Sequence, residues 1–315
     1  MPTSGSILVT GASGFAGGHL VDLLARDGVP VVAWHRPGGA PPRDAPGTIW
    51  QAIDILDKAA VRAAIGRLRP TAVYHCAGAA HVGRSWDNTE PTFAVNVRGT
   101  SYLIEGLRDA GVDARVLIPS SAMVYAPADI PLREDHRLLP ASPYALSKLT
   151  QEMIGTENTG GPPVLVARAF NHFGPRQDPW FVASGFARRI ADIEAGLWKP
   201  ELMVGNLDAR RDLTDVRDTV QAYRRIMEHG KAGRVYNVCS GRDIAVRDLL
   251  EMMLSRARVA IEVKVDPSRY RPNDHPLIVG DPSRIHDELG WKASIPLEKT
   301  VDDLLAYWRL AATSS

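Results

Sequence analysis

The sequence predicts an α/β fold, a doubly wound parallel Rossmann sheet followed by a smaller C-terminal lobe. Two observations predict it. Short apolar runs alternate with helical segments through the first half, and several runs are apolar throughout, as in strands buried on both faces. The stretch TGASGFAGGHL at residues 10–20 joins the first apolar run to the first helix. Small residues there suit either a tight turn or a phosphate that the backbone must approach closely.

The elements follow from hydrophobic periodicity. We expect strands at residues 7–9, 29–34, 49–53, 72–76, 116–119 and 164–170, with helices between them. The first helix ends at Gly28, and the helix that passes through Leu103 and Leu107 is long. In the second half we expect helices at residues 182–194, 246–255, 282–289 and 297–310. A further helix follows the stretch at 206–218 and ends at residue 228, and a strand is expected at 235–239. The stretch at 206–218 reads as polar. Residues 1–170 form the predicted sheet domain, which a strand near 233–240 joins, and residues 171–315 form mainly the smaller lobe.

Composition limits the class of partner. The 315 residues include 37 basic and 36 acidic side chains, a balance that favours neither nucleic acid nor an anionic membrane as a partner. No apolar run approaches the roughly 18 residues needed to span a bilayer. Cys76 and Cys239 lie in apolar runs and are expected to be reduced thiols, and the first strand leaves no room for a signal peptide. We therefore expect a cytoplasmic protein.

The glycine loop has the pattern GxxGxxG over residues 11–17. Gly11 permits a sharp turn, Gly14 permits a pyrophosphate to approach, and Gly17 permits close packing of helix on strand. The helix that follows would offer free N–H groups to the anion. The alternative is a turn without a ligand. The residues assigned to a dinucleotide cofactor in this loop are Gly11, Ser13, Gly14, Phe15, Ala16 and Gly17.

The ends of the next strands refine the cofactor prediction. His35 and Arg36 follow the second strand, where an acidic residue would accept hydrogen bonds from the ribose of NAD. An arginine suits a 2′-phosphate, so NADP(H) is favoured, with NAD(H) as the other option and a solvated loop as the alternative reading of Arg36. Asp54 either contacts the adenine amino group or caps a helix. Ile55 and Ala77 complete the predicted cofactor site.

Three residues form the candidate catalytic set. Tyr144 and Lys148 are four residues apart in SPYALSKL and share one face of a helix, and Ser121 ends the fifth strand. The ordinary pKa of tyrosine, about 10, is too high for acid–base work unless a neighbouring ammonium stabilises the phenolate. Tyr144 would pass a proton while hydride moves between carbon and nicotinamide. Tyr144 and Lys148 are also assigned to cofactor binding. The alternative is an ordinary amphipathic helix. No metal site is predicted.

These motifs together resemble the extended short-chain dehydrogenases/reductases, the nucleotide-sugar epimerase, dehydratase and reductase family. The carrying segments are TGASGFAG, Ser121 and YALSK, and in the second half HVGRSW, RAFNHFGPRQ, VGNLDARRDLTDVRD, VYNVCSG and RPNDHPLIVGDPSRIHDELGW. The second half is most similar to reductases of GDP-4-keto-6-deoxy-D-mannose and to GDP-mannose 4,6-dehydratases. The resemblance implies a GDP-linked nucleotide-sugar substrate. It also implies a homodimer formed through helices at residues 91–110 and 142–156.

The resemblance also assigns substrate-binding residues. Asn171 corresponds to the substrate-contacting asparagine of the FNHxGP segment, and Arg211 to the arginine that contacts the nucleotide diphosphate, which guanidinium suits. Arg271 resembles another contact to the nucleotide part of the sugar donor. The other assigned residues are Asp274, Ser85, Trp86 and Ser121. Alternatives remain for three of them: Arg211 in a surface ion pair with Asp212, Asn171 as a turn residue, and Trp86 in the core.

Position 123 separates the reactions of this family. Dehydratases carry an acidic residue two positions after the catalytic Ser/Thr, whereas this sequence has Met123 in SAMVY. A thioether cannot transfer that proton, so 4,6-dehydration is not expected. A reductase is favoured by the RRDLTDVRD and RPND segments, and a 4-epimerase remains the alternative because SAMVY is also typical of epimerases. A non-catalytic, regulatory NAD(P)-binding protein is the third possibility.

Overall fold

A seven-stranded parallel sheet with helices on both faces forms the centre of the protein. The computed structural model describes residues 6–39, 45–158, 160–270 and 275–313. The strands are β1 (Ile7–Thr10), β2 (Val31–His35), β3 (Thr48–Ala52), β4 (Ala72–His75), β5 (Arg115–Ser121), β6 (Val164–Ala169), β7 (Asn171–Phe173), β8 (Glu201–Val204), β9 (Arg210–Asp215), β10 (Val235–Val238), β11 (Asp243–Ala245), β12 (Glu262–Val265) and β13 (Leu277–Ile278). The α-helices are α1 (Phe15–Arg26), α2 (Lys58–Leu68), α3 (Thr89–Phe93), α4 (Gly99–Asp109), α5 (Pro143–Thr156), α6 (Val182–Glu194), α7 (Val216–His229), α8 (Val246–Leu254), α9 (Ser283–Leu289) and α10 (Leu297–Thr313).

The strand order of the main sheet is β3-β2-β1-β4-β5-β6-β10. All six pairings are parallel, and Ile7 of β1 lies opposite both Val31 of β2 and Ala72 of β4. The chain winds outward in one direction from β1 and in the other from β4. Ligands of such sheets bind in the crevice outside the carboxyl ends of the strands at this switch point. The predicted doubly wound sheet is confirmed.

The main sheet is buried on both faces. One face packs against α1, α7 and α9 through a cluster that includes Leu20, Val220 and Ile285, and the other packs against α2 and α4 through a cluster that includes Ile65 and Leu103. Helices α7 and α9 come from the second half of the chain, so this half contributes to the core of the main sheet as well as to the smaller lobe.

The smaller lobe has its own core. Strand β9 pairs with β7 and β13 in parallel and with β11 antiparallel, and β8 pairs with β12. Helices α6, α8 and α10 cover these strands through a cluster that includes Ile190, Leu250 and Leu304. Within the described ranges, no helix is both long and apolar enough to cross a membrane.

Strand β9 lies in the stretch that the sequence analysis takes as merely polar. Two of its carboxylates are fully buried. Asp212 accepts hydrogen bonds from Ser240 N, Ser240 Oγ and Gly241 N at 2.7–2.9 Å, and Asp215 caps α7 by accepting from Arg217 N at 2.7 Å. A strand can contain buried carboxylates when hydrogen-bond donors surround them. The hydropathy of the sequence does not reveal where these donors come from.

The long helix expected around Leu103 and Leu107 is interrupted. A π-helical turn, Ala94–Arg98, separates α3 from α4. Asn96 lies in this turn, where its amide accepts from Ala79 N at 2.8 Å and donates to Ala79 O at 3.1 Å and to Ser147 Oγ at 2.9 Å. Wide turns of this kind place a side chain where a regular helix would not. Asn96 thereby joins the segment after β4 to α5.

Candidate active site

The glycine loop turns between β1 and α1 in a backbone conformation that only glycine fits. Gly11 has φ +63°, and a Cβ there would lie 2.5 Å from Ala77 N. A Cβ on Gly17 would lie 2.3 Å from Gly11 O. The loop is therefore packed backbone to backbone against α1 and against the segment that follows β4.

The first turn of α1 has the donors that an anion needs. Gly14 is the N-cap and has no side chain to accept hydrogen bonds, and the first turn contains no acidic residue. Gly18 N donates to Gly14 O at 2.9 Å, so the N–H groups of Phe15, Ala16 and Gly17 precede the first bond of the helix. Together with the helix dipole, these groups suit a pyrophosphate. The residues present therefore fit a dinucleotide, with Ser13 exposed beside them.

The other predicted cofactor residues lie at the ends of neighbouring strands. His35 is buried and contacts Trp50 edge to face, whereas Arg36 is exposed just beyond it. Ala77 N donates to Thr10 Oγ1 at 3.2 Å beside the glycine loop. All of these residues lie at the carboxyl edge of the sheet, around the end of β1.

Asp54 and Ile55 follow β3. Asp54 Oδ1 accepts from Leu56 N at 2.9 Å in a turn, while Asp57 caps α2 by accepting from Ala60 N at 3.0 Å. The alternative in which Asp54 caps this helix is therefore wrong, because α2 begins three residues later than that alternative requires. Ile55 is buried and packs in the second core cluster.

Ser121 and Tyr144 meet at the carboxyl end of β5. Ser121 Oγ accepts from Met123 N at 3.2 Å, and the Ser121 side chain is near enough to the Tyr144 phenol to affect its pKa. Ser142 caps α5 by accepting from Ala145 N, which places Tyr144 in the first turn of that helix. Burial raises the pKa of Tyr144, and the hydrogen bond to Ser121 opposes this. The net direction is opposite to the lowering by Lys148 that the sequence predicts, because burial dominates.

Lys148 is buried one turn further along α5. Its Nζ donates to Gln151 Oε1 at 2.6 Å. Burial lowers the pKa of Lys148 to about 8, and the negative charge of Glu152 opposes this. Glu152 is held by Arg168 of β6, with Nη2 2.8 Å from Oε2, so the helix is fixed to the sheet beside the site.

Ser85 and Trp86 lie in the loop after β4. Ser85 is buried, donates to Val82 O at 2.7 Å and accepts from Tyr144 N at 3.1 Å, so this loop holds the start of α5. Trp86 is 57% exposed, and the alternative in which it packs in the core is wrong. An indole exposed beside Tyr144 is available to a ligand.

The substrate-binding residues expected in the second half lie on β7, on β9 and beyond. Asn171 is exposed at the start of β7, opposite Leu213 of β9. Arg211 is half-buried in β9, and its Nη1 donates to Arg210 O and to His275 O, both at 2.8 Å. Arg271 and Asp274 lie outside the described residues.

One face of α1 contacts β7 and the loop that follows it, and the sequence does not predict this contact. The rings of Phe15 and His172 are stacked with centroids 5.8 Å apart. His19 Nε2 is 2.9 Å from Pro175 O. One turn further, Asp22 accepts from Arg176 Nη2 at 2.7 Å. Spacing on α1 shows that these residues share a face, but only the fold identifies what that face contacts.

Comparison with known proteins decides the family. The model of the family described as GDP-mannose 4,6 dehydratase matches residues 8–304. The chain belongs to this family. Proteins similar to this chain include a reductase as well as dehydratases, so membership alone does not imply dehydration.

Individual relatives cover nearly the whole chain. The GDP-6-deoxy-D-mannose reductase of Pseudomonas aeruginosa is 36% identical over 96% of each chain. The structure of RMD from Pseudomonas aeruginosa complexed with NADPH has a TM-score of 0.85 and 34% identity, over 98% of this chain and 99% of that one. The UDP-glucose 4-epimerase of Thermotoga maritima, with UDP-glucose, has a TM-score of 0.86 and 25% identity, over 97% and 99%.

Proposed function

We propose that the protein is an NADPH-dependent reductase of a nucleotide-activated 4-keto-6-deoxy sugar of the GDP-4-keto-6-deoxymannose type. The observation that carries the proposal is the position of Tyr144 in the first turn of α5, which packs against β5 at the end where Ser121 and Met123 lie. Tyr144 offers a proton donor for a carbonyl, and the thioether of Met123 offers no acid that could expel a hydroxyl. The 36% identity to a GDP-6-deoxy-D-mannose reductase supports the substrate class.

The chain's own residues account for the proton. The nicotinamide, when bound, supplies the hydride to C4 of the sugar. Tyr144 donates its hydroxyl proton to the oxygen on C4, so that ketone, hydride and proton together give an alcohol. A raised pKa keeps the phenol protonated at neutral pH, which is the state that a donor requires. The ammonium of Lys148 stabilises the phenolate left behind, and Ser121 orients the carbonyl.

The choice of NADPH rests on the end of β2. Arg36 is exposed where the adenosine ribose of a dinucleotide would lie, and guanidinium suits a 2′-phosphate. The similar structure from Pseudomonas aeruginosa is complexed with NADPH. Gly11, Gly14 and Gly17 would hold the pyrophosphate.

The sugar nucleotide would lie between the sheet edge and the smaller lobe. We assign to it the described residues Ser85, Trp86, Ser121, Asn171 and Arg211, and by resemblance also Arg271 and Asp274, which lie outside the described residues. A homodimer in the cytoplasm stays a prediction. Leu146 and Met153 on α5 are 46% and 55% exposed, which supports a helix-mediated dimer.

A 4-epimerase is the second candidate. The likeness to a UDP-glucose 4-epimerase and the SAMVY segment favour it. Ser121, Tyr144 and Lys148 serve both reactions. The two differ in cofactor balance, because an epimerase returns the hydride to the sugar whereas a reductase consumes one NADPH for each product.

The test is to incubate the protein with NADPH and GDP-4-keto-6-deoxymannose, follow absorbance and identify the product by NMR. We expect stoichiometric loss of NADPH, with no interconversion of GDP-hexoses when only oxidised cofactor is supplied. Interconversion of C4 epimers without net cofactor use would overturn the reductase in favour of the epimerase. Tight NADPH binding without turnover on any keto-sugar nucleotide would favour the non-catalytic alternative.

A further inference from the structure

Gln151 lies between the catalytic lysine and the protein interior. Its side chain is fully buried on α5, and its Oε1 accepts from Lys148 Nζ at 2.6 Å. An ammonium has donors only, so the amide oxygen must face it and the amide nitrogen must face away. That nitrogen donates to Thr100 Oγ1 of α4 at 2.7 Å.

The hydrogen bonds beyond Gln151 have fixed directions. Thr100 Oγ1 donates its only proton to Asn96 O at 2.5 Å. It can therefore only accept from Gln151 Nε2 and from His75 Nε2, which is 2.9 Å away. This makes His75 the Nε2–H tautomer, whose Nδ1 accepts from Thr10 Oγ1 at 2.8 Å.

The donor-to-acceptor direction of these hydrogen bonds determines whether the network can transfer a proton. Lys148 donates to Gln151, and Gln151 Nε2 and His75 Nε2 both donate to the Thr100 hydroxyl, which donates in turn to the backbone carbonyl of Asn96. A carbonyl oxygen has no proton to donate further. Burial lowers the pKa of His75 to about 3, so the ring stays neutral. The network therefore cannot carry a proton away from Lys148. It connects the lysine rigidly to Thr10, which directly precedes the glycine loop.

We propose that Gln151 is a positioning residue that holds the Lys148 ammonium charged and in place beside Tyr144. The proposal rests on the proposed function in that it takes Lys148 to act on the phenolate. The amide oxygen compensates part of the cost of burying the charge and occupies one of its three N–H groups. Two N–H groups are left for other partners.

The groups around Lys148 come from two elements. On α5 the titratable group is Glu152, which is paired with Arg168, and Tyr144 lies one turn before Lys148 in the same helix. From the end of β4 they are His75, which is neutral, and Cys76, whose pKa burial raises to about 12. Among the described residues that influence its pKa, only Glu152 carries a charge at neutral pH. The Gln151 amide oxygen is in direct contact with the ammonium and adds a polar partner to the charge of Glu152.

Two substitutions at position 151 should move the pKa of Lys148 in opposite directions. Gln151→Leu removes the acceptor and should lower this pKa by about one unit, whereas Gln151→Glu keeps an acceptor, adds a negative charge and should raise it by about one unit. The matched control is Thr100→Val, which breaks the same network one bond further away. It should lower thermal stability but shift the pKa of Lys148 by less than about 0.3 units.

The measurement is NMR titration of protein labelled with ¹³Cε-lysine, with the Lys148 signal assigned by its loss in Lys148→Met. This readout requires no substrate, so it is independent of whether the reductase assignment holds. In NADPH turnover, kcat requires the ammonium, so the alkaline loss of activity should begin at lower pH in Gln151→Leu and at higher pH in Gln151→Glu. KM should change less than about threefold.

An unchanged Lys148 pKa in Gln151→Leu, or an equal shift in Thr100→Val, would overturn the proposal. If Gln151→Leu does not fold, the upward shift in Gln151→Glu decides alone, and its absence counts against the proposal. Shifted pKa values with no NADPH turnover by the parent enzyme would contradict the proposed function and leave the positioning role supported.

Discussion

The candidate cofactor site at the glycine loop consists of backbone atoms, whereas the candidate substrate site in the C-terminal lobe consists of side chains. At residues 11–17 the determining contacts are Gly11 and Gly17 against neighbouring backbone, and the donors are N–H groups. In the lobe, β9 depends on buried Asp212 and Asp215 and presents Arg211. A backbone site restricts the residue at a few positions to glycine. A side-chain site leaves many sequences compatible with the same strand.

The largest expected effect concerns the catalytic side chain at the sheet edge. Tyr144→Phe should lower kcat by about 10²–10⁴-fold, because it removes the proton donor, while NADPH affinity stays nearly unchanged. Stopped-flow turnover and fluorescence titration with NADPH measure the two effects. Tyr102→Phe on α4 is the control and should turn over normally. Turnover by Tyr144→Phe within a few-fold of the parent would remove this residue from the mechanism.

The second-largest expected effect concerns Gly11 in the glycine loop. Gly11→Ala should lower the free energy of unfolding by about 2–4 kcal/mol, from left-handed strain and from collision of the Cβ with Ala77. It should also abolish NADPH binding at micromolar cofactor.

Gly28→Ala is the matched control, since Gly28 has φ +70° and nothing within 4 Å of its would-be Cβ. It should cost only about 1 kcal/mol. Urea unfolding of both variants gives the comparison. Equal losses would mean that strain alone, and not close packing, restricts position 11.

The proposed preference for NADPH rests on one exposed side chain, Arg36, which follows β2 near the glycine loop. Arg36→Asp should weaken NADPH binding by about 10–100-fold, because it removes a cation and adds repulsion against a 2′-phosphate. NADH binding should change by less than about threefold. Dissociation constants for both cofactors test this, and equal losses would show that Arg36 does not recognise the phosphate.

The smallest expected effect concerns the contact between α1, which follows the glycine loop, and the loop after β7. Arg176 has φ +76°, and its guanidinium pairs with Asp22 of α1. Arg176→Ala should lose the half-exposed ion pair and keep the strain, whereas Arg176→Gly should lose the pair and relieve the strain. We expect the glycine variant to be more stable than the alanine variant by about 1 kcal/mol in urea unfolding. The reverse order would show that the left-handed backbone carries no strain.

The sequence predicts the parts of the fold that follow from the spacing of apolar residues and from the positions of glycines. Apolar runs locate the strands of the main sheet to within a few residues, and the glycine pattern locates the turn of Gly11. Tyr144 and Lys148 are recognisable because they are four positions apart on a helix that follows a strand ending in Ser121. Each of these signals is local in the chain.

The rest depends on contacts between distant segments. Strand β9 is missed because Asp212 is buried only when Ser240 and Gly280 supply its donors. The stacking of Phe15 on His172 joins residues 157 positions apart. The orientation of Gln151 needs Thr100 from another helix. No window of sequence contains both partners of such a contact.

The position of β10 bears on how the chain folds. This strand closes the edge of the main sheet by pairing with β6, although 65 residues separate the end of β6 at Ala169 from the start of β10 at Val235. During synthesis β6 therefore presents an unpaired edge until the chain has been made beyond residue 238. Unpaired apolar edges promote association between chains. A fragment that ends at residue 170 should accordingly aggregate rather than yield an isolated cofactor-binding domain, and translation speed across residues 170–238 should affect the yield of folded enzyme.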